Sequence, residues 1–216
     1  MADKKLITPN FKDVSKEAVQ RALANVQGGK QEPLTPPDTA RASEDNKGKQ
    51  YIRWSEQVTI TMAYRTVTKN GLMDVVVQQK IRQSDEPKNN GKSFFAHTYY
   101  NTGTNISEGH EAMNERSDGF VASLLTATGL MPAAGVLKAS LLAKMFPEKG
   151  KPGDAPSPLV GKSVIANVVQ QIEPAVDPKT NKAKKAKDGS AVMSKRDGAE
   201  SYLPDVPATD DDDTEE

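Results

Sequence analysis

Apolar and polar residues alternate from Gln50 onward with the period of two that is typical of β-strands. The side chains of the first strand that are expected to face the core are Ile52, Trp54, Val58, Ile60, Met62 and Tyr64. Asn70-Gly71 then predicts a tight hairpin turn, because Asn and Gly tolerate the positive φ angles that such turns require. A return strand over residues 73–82 and a third strand over residues 93–101 complete a predicted three-stranded antiparallel meander.

Helical spacing replaces this alternation in three segments, which cover residues 14–27, 106–128 and 136–145. In the first segment, small and aliphatic side chains gather on one face, and Gly28-Gly29 ends the helix. Strand-like patterning then returns over residues 159–173 and 190–203.

Strands followed by a helical insertion and further strands are typical of a mainly β fold with an α insertion (α+β). We expect an OB-like antiparallel barrel that carries one or two inserted helices. Proline and polar residues dominate residues 30–49, which is the composition of a flexible linker. The predicted organisation is an N-terminal helical segment, a linker, a main domain and a disordered acidic tail, which span residues 1–29, 30–49, 50–204 and 205–216.

The composition excludes several classes of protein. The 216 residues include no cysteine, so the chain has no disulfide, no thiolate zinc site and no cysteine nucleophile. Its first 25 residues contain five basic residues and no apolar run, which argues against a secretory signal. Because the sequence has no apolar stretch long enough for a membrane span, we expect no membrane partner. These features predict a cytoplasmic protein.

Positive and negative charges are equal in number but separated along the chain. Residues 205–216 hold seven of the 29 acidic residues and no basic one, so residues 1–204 carry 29 basic and 22 acidic residues, a net charge of +7. The tail residues expected to bind partners are Asp210, Asp211, Asp212, Asp213, Glu215 and Glu216. Such a tail improves solubility only, competes with another polyanion for a basic surface, or recruits a basic partner.

A second charged segment precedes the last predicted strand. Residues 179–187 contain five lysines and no acid. The lysines that we select as candidate phosphate contacts are Lys182, Lys184, Lys185 and Lys187. This composition fits a solvated loop or hairpin tip, and it also fits a surface that neutralises nucleic-acid phosphates.

Aromatic residues are concentrated in the predicted meander, where seven of the eleven lie between residues 51 and 100. The strand over residues 93–101 presents rings on both faces, because neighbouring side chains alternate. One face supplies the core, and the other leaves two rings exposed, which is costly unless a partner stacks on them. We expect Phe95 and Tyr99 to be the stacking pair, with Phe94 and Tyr100 as the alternative.

Basic residues are expected on the same exposed face as these rings. The outward-facing candidates are Tyr51, Arg53, Arg65, Lys80, Arg82 and Lys92. Cations beside aromatic rings are typical of proteins that bind single-stranded nucleic acid. Ordinary polar residues on a solvated sheet would follow the same pattern.

Catalytic and cofactor motifs are missing from the sequence. It contains no GxxxxGK[ST] phosphate loop, no GxGxxG motif after a strand and no GxSxG elbow. The two histidines, His97 and His110, lie in different predicted elements and lack the spacing of metal ligands. We therefore expect a non-enzymatic protein without catalytic residues, metal or cofactor.

Five features carry a family resemblance and together span residues 50–216. They are the hairpin over residues 54–82, the Lys-Ser-Phe-Phe-Ala-His-Thr-Tyr-Tyr segment with its following helix, the Leu-Val-Gly-Lys-Ser-Val-Ile segment, the lysine-rich stretch that leads into Glu-Ser-Tyr-Leu-Pro, and the acidic tail. In these features the chain resembles the bacteriophage single-stranded DNA-binding proteins of the OB-fold type. The resemblance implies a non-catalytic protein that coats single strands and often contacts replication partners through its tail.

Two features depart from that family. Its tails commonly finish with an aromatic residue, whereas this one finishes with Thr214-Glu215-Glu216, which puts in doubt a partner pocket filled by a terminal ring. The helix predicted over residues 14–27 is also not required by the family pattern.

The expected function is sequence-independent binding and protection of single-stranded DNA in replication, recombination or repair. The sequence does not decide whether the chain forms homo-oligomers on the DNA. The tail is expected to modulate binding or to recruit replication or recombination proteins. Two alternatives stay open: a protein-interaction or assembly factor that binds no nucleic acid, and a recombination mediator that anneals strands.

Overall fold

The computed structural model describes residues 10–27, 50–103, 107–150, 156–177, 182, 184–186 and 193–205. Within these ranges the chain forms three α-helices and five β-strands. In chain order they are α1 (Lys16–Gln27), β1 (Gln50–Val67), β2 (Met73–Gln83), β3 (Ser93–Tyr100), α2 (Glu108–Ala127), α3 (Ala139–Met145), β4 (Ser163–Pro174) and β5 (Met193–Pro204). The predicted linker and the tail beyond Asp205 lie outside the described residues.

The five described strands form one antiparallel sheet in the order β3-β2-β1-β4-β5. The central strand β1 is 18 residues long and pairs with β4 through its first half and with β2 through its second. The sheet curls, so that the edge strands β3 and β5 come within 8 Å of each other at their Cα atoms. They are not hydrogen-bonded neighbours in the described part of the chain, so the predicted mainly β fold with inserted helices is confirmed, but the barrel is not closed.

Helix α2 packs against both edge strands and covers the opening between them. The Ser117 hydroxyl donates a 2.7 Å hydrogen bond to the carbonyl oxygen of Tyr99 in β3. Toward β5, the ring of Phe120 meets that of Tyr202 edge to face, with centroids 5.3 Å apart. The Tyr202 amide also donates a 3.3 Å hydrogen bond to the Ser123 hydroxyl. One helix thus joins the two edges that the sheet leaves unpaired.

The N-terminal segment packs on the same hydrophobic core. The Ser15 hydroxyl accepts a 3.2 Å hydrogen bond from the Ala18 amide and so caps α1, while Asp13 accepts one of 2.8 Å from the Ala139 amide at the start of α3. Phe11 is buried between Tyr100 and other core residues, with its ring 5.8 Å from that of Tyr100. The N-terminal helix therefore docks on the main domain of its own chain.

A bulge in β1 reverses part of the predicted alternation. The pairing with β2 shifts by one residue between Ile60 and Met62, so β1 contains one residue more than its partner at this point. Ile60 is buried as expected, but Met62 is 46% exposed and Ala63 is buried instead. Every side chain after the bulge therefore points to the face opposite to the one that strict alternation predicts.

Arg65 follows this bulge, and its predicted outward orientation is wrong. The residue is only 8% exposed, and its guanidinium lies 5.6 Å from the centre of the Phe11 ring. It donates a 2.7 Å hydrogen bond to the Phe146 carbonyl and a longer one to the Ala143 carbonyl, at the C-terminal end of α3. A cation is favourable there because the last carbonyls of a helix carry partial negative charge. Arg65 joins α3 to the sheet.

We expect Arg65→Ala to lower the free energy of unfolding by about 2–4 kcal/mol, because it removes buried hydrogen bonds and leaves a cavity beside Phe11. Urea unfolding followed by circular dichroism measures the change. Arg116→Ala, on the exposed side of α2, is the matched control and should cost less than about 0.5 kcal/mol. Equal, small effects of the two substitutions would contradict the role given to Arg65.

Asp118 of α2 is turned toward the Tyr100 hydroxyl of β3. Burial raises the pKa of the Asp118 carboxyl to about 6, and the nearby charge of Glu115 adds to that increase. The Tyr100 hydroxyl partly offsets the shift, although the two groups do not meet the geometry of a hydrogen bond. An ionised Asp118 is therefore a destabilising feature of the folded protein at neutral pH.

We expect Asp118→Asn to stabilise the fold near neutral pH and to lose that advantage in acid. Because the folded-state pKa lies above the ordinary value of 3.8, the unfolded chain gives up this proton more readily. The free energy of unfolding of the wild type is thus highest, as far as Asp118 is concerned, below about pH 4. It falls by about 3 kcal/mol in total as the pH rises through about 6 and Asp118 ionises.

Urea unfolding of the wild type and Asp118→Asn across this pH range measures that difference. Asp85→Asn, in the exposed loop between β2 and β3, is the control, and it should change stability little at any pH. A stability difference between wild type and Asp118→Asn that is independent of pH would refute the assignment.

Candidate nucleic-acid interface

The face of β1, β2 and β3 that points away from the core carries the candidate site, and we call it the outer face. The strand register aligns its side chains in rows across the three strands. One row contains Met62, Gln78 and Phe95, the next Tyr64, Val76 and His97, and a third Thr66, Asp74 and Tyr99. Lys80 follows on the same side of β2 and is exposed.

Three rings form a ladder along β3. Phe95 is 43% exposed and Tyr99 is 39% exposed, while Phe94 and Tyr100 are buried in the core. The His97 ring lies between the two exposed rings, with centroid distances of 6.3 Å to each. The planes of His97 and Tyr99 differ by only 17°, so these two are stacked. The exposed pair is therefore the one that the sequence predicted, and its role in base stacking stays a prediction.

Asp74 of β2 orients His97 within this ladder. The Nδ1 atom of His97 lies 3.1 Å from both carboxylate oxygens of Asp74, whose side chain is mostly buried. This contact holds the imidazole plane nearly parallel to the Tyr99 ring. Sequence reasoning did not place His97 in the site, although its position midway between Phe95 and Tyr99 on one strand face was a usable signal.

Two further residues reach the outer face because of the bulge in β1. Met62 is exposed, and the half-buried ring of Tyr64 lies 4.9 Å below the ammonium group of Lys149. Lys149 is held there because its amide donates a 2.9 Å hydrogen bond to the Arg65 carbonyl. The sequence analysis placed Met62 and Tyr64 in the core, since alternation alone cannot locate an inserted residue.

The predicted cations occupy three different places. Lys80 is exposed on the outer face near the end of β2. Lys92 is exposed in the loop just before β3, where its ammonium donates a 2.9 Å hydrogen bond to the Asn89 side chain. Lys182, Lys184 and Lys185 are exposed on the loop between β4 and β5. These three lysines follow the end of β4 that pairs with the start of β1, whereas the ring ladder lies beside β2, which pairs with the second half of β1. The Tyr51 side chain and Lys187 lie outside the described residues.

Two predicted arginines form ion pairs with acidic residues near the C-terminus. Arg53 makes a two-point contact with Glu200 of β5, with distances of 2.8 and 2.9 Å. Arg82, at the end of β2, pairs with Asp205, the first residue of the predicted tail. The acidic residues proposed for partner binding, at positions 210–213, 215 and 216, lie outside the described residues. The described start of the tail thus contacts the end of β2.

The described residues contain neither a metal-binding cluster nor a membrane-spanning helix. No group of three or more His, Cys, Asp or Glu residues in the described ranges is arranged to hold a metal ion. None of the described helices is long and apolar enough to span a bilayer. No protein-family model matches the chain, and no curated protein matches it at a significant level.

Proposed function

We propose that the chain is a non-catalytic protein that binds and protects single-stranded DNA without sequence preference, in replication, recombination or repair. The observation that carries this proposal is the ladder of Phe95, His97 and Tyr99, which exposes two large rings on a β-strand. Stacking of a base on such a ring contributes about 1–3 kcal/mol and works with any base. Lys80 and Lys149 lie on the same face, where they can contact phosphates.

The strand arrangement supports an OB-like interpretation of the sheet. OB folds are five-stranded, partly open barrels that bind oligonucleotides on the face of their second and third strands and with the loops between strands 1 and 2 and between strands 4 and 5. In this chain the ladder lies on β3 beside β2. The lysine-rich segment joins β4 to β5, the position of the second such loop. These positions agree with the proposed family of phage single-stranded DNA-binding proteins.

Fluorescence anisotropy with a labelled oligo-dT tests the proposal. We expect binding at low salt by micromolar protein, a steep loss of affinity as salt is added, and similar affinity for unrelated single strands. Tyr99→Ala and Phe95→Ala should each weaken binding about fivefold to a hundredfold, because each removes one stacking ring. Val160→Ala, which truncates an exposed apolar residue in the turn before β4, is the matched control and should leave affinity unchanged.

The absence of any anisotropy change at low salt would end the DNA proposal and favour a protein-interaction role for the outer face. An assay with complementary strands separates simple binding from strand annealing, the other alternative. Oligo-dT binding that Tyr99→Ala and Phe95→Ala leave intact would place the interface elsewhere.

We propose that the acidic tail competes with DNA for the basic body and also offers replication or recombination proteins a binding segment. The ion pair between Arg82, at the end of β2, and Asp205, the first residue of the tail, supports this proposal. We expect deletion of residues 205–216 to tighten oligo-dT binding at low salt, because seven negative charges and one ion pair are removed. The difference should shrink as salt screens the competition. Unchanged affinity in the deletion variant at low salt would rule out competition by the tail.

A further inference from the structure

The imidazole of His97 lies at the centre of the ring ladder, with only one of its two nitrogens engaged. Its Nδ1 atom lies 3.1 Å from both carboxylate oxygens of Asp74. The Nε2 atom has no hydrogen-bond partner among the described residues, and 40% of the side chain is exposed. Phe95 and Tyr99 flank the imidazole on its two sides. A ligand that covers the ladder can therefore reach Nε2.

Asp74 determines which nitrogen of His97 carries the hydrogen. A carboxylate only accepts hydrogen bonds, so Nδ1 must donate to it. In a neutral imidazole one nitrogen donates and the other accepts, which makes Nε2 an acceptor. An acceptor does not bond to a phosphate oxygen, which is itself an acceptor. Because protonation turns Nε2 into a donor and makes the ring positive, a phosphate at this point of the ladder requires the imidazolium form of His97.

The surroundings of His97 suit a positive charge. The Asp74 side chain is only 12% exposed, and its carboxylate has no other hydrogen-bond partner among the described residues. A carboxylate next to an imidazole favours the charged form of the ring. The other titratable or charged groups on this part of the outer face are Tyr99 on β3, Tyr64 on β1 and Lys149, whose ammonium lies over the Tyr64 ring. Among the charged groups, Asp74 is the one that contacts the imidazole.

His97 and Lys149 stand at opposite ends of one row of side chains. The strand register aligns Tyr64, Val76 and His97 across β1, β2 and β3. The Lys149 ammonium lies 4.9 Å from the centre of the Tyr64 ring, and Val76 between the two ends is only 1% exposed. A strand whose bases stack on the two exposed rings of the ladder brings its phosphates close to this row. A protonated His97 would give the row a cation at each end.

We propose that His97 binds a phosphate of the single strand as an imidazolium, with Asp74 as the positioning residue that orients it. The Nε2–H group donates to a phosphate oxygen while Nδ1–H donates to Asp74. Imidazole side chains change charge between about pH 5 and 8, so DNA binding in the upper part of this range takes up a proton. The inference rests on the proposed DNA-binding function, and it makes binding at that face tighter as the pH falls.

Fluorescence anisotropy between about pH 8 and pH 5.5 tests this, with an oligo-dT that carries a pH-insensitive dye and has bases that keep their charge over the range. We expect the affinity of the wild type to rise about threefold to thirtyfold as the pH falls, because one proton is taken up. His97→Gln should remove most of this rise. His110→Gln is the matched control, since it changes the only other histidine and Gln suits its capping position at the start of α2. The control should keep the full rise.

Salt dependence distinguishes a phosphate contact from a contact with a base. One more neutralised phosphate should make the slope of log affinity against log salt steeper by about 0.7 at the lower pH in the wild type, and not in His97→Gln. Asp118 also takes up a proton as the pH falls through about 6, but it is present in both proteins. An equal rise of affinity in wild type and His97→Gln would overturn the proposal. So would affinity that falls with the pH, because Nε2 would then be accepting from a base.

Nitrogen NMR of the imidazoles in the DNA-free protein tests the role of Asp74 by itself. We expect the neutral His97 to carry its hydrogen on Nδ1, and a hydrogen on Nε2 would refute that role whatever the protein does with DNA. Asp74→Asn should move the rise in oligo-dT affinity to lower pH, because the imidazolium loses its counter-charge. Oligo-dT binding that is independent of pH would refute this inference and leave the DNA-binding function in place. No binding at any pH would refute both.

Discussion

One extra residue in β1, between Ile60 and Met62, determines which side chains of the second half of that strand face the core. It turns Arg65 inward, where the guanidinium bonds to the last carbonyls of α3 and contacts Phe11. It also turns Met62 and Tyr64 outward, beside the rings of β3. The same inserted residue therefore attaches α3 to the sheet through Arg65 and adds Met62 and Tyr64 to the outer face. Bulges often redirect side chains in this way near binding sites.

Helix α2 covers the gap between the edge strands β3 and β5. An unpaired strand edge is a liability unless something covers it, and α2 packs against both edges through Ser117 and Phe120. Because α2 approaches β3 from the core side, it leaves the outer face of that strand open. The inner side chains of β3 anchor the helix, and the outer ones, Phe95, His97 and Tyr99, form the ladder.

Local signals predicted the order of the elements and the orientation of β3, because alternation, turn residues and helical spacing act over a few neighbours. The hairpin at Gly71, whose φ is +80°, and the exposure of Phe95 and Tyr99 follow from such signals. The bulge does not, since the alternation of residues 58–65 favours the register without it, which places Met62 and Tyr64 inward and Arg65 outward. The ion pairs of Arg53 with Glu200 and of Arg82 with Asp205 span 147 and 123 residues, and only the folded sheet brings them together.

Those two ion pairs also clarify the charge balance of the chain. The neutral total of 29 basic and 29 acidic residues hides a positive body and a negative C-terminal segment. The Arg53–Glu200 pair lies within that body, and the Arg82–Asp205 pair joins the body to the first residue of the segment. Exposed ion pairs contribute only about 0–1 kcal/mol to stability, because both partners are well solvated when apart. Arg53, whose pair with Glu200 is exposed on both sides, can therefore exchange a carboxylate for a phosphate with little loss of stability, whereas the Asp205 carboxylate that pairs with Arg82 is only 15% exposed. A cation held in an exposed ion pair is occupied toward polyanions that bind weakly. It can still bind a long polyanion, which offers many phosphates at once.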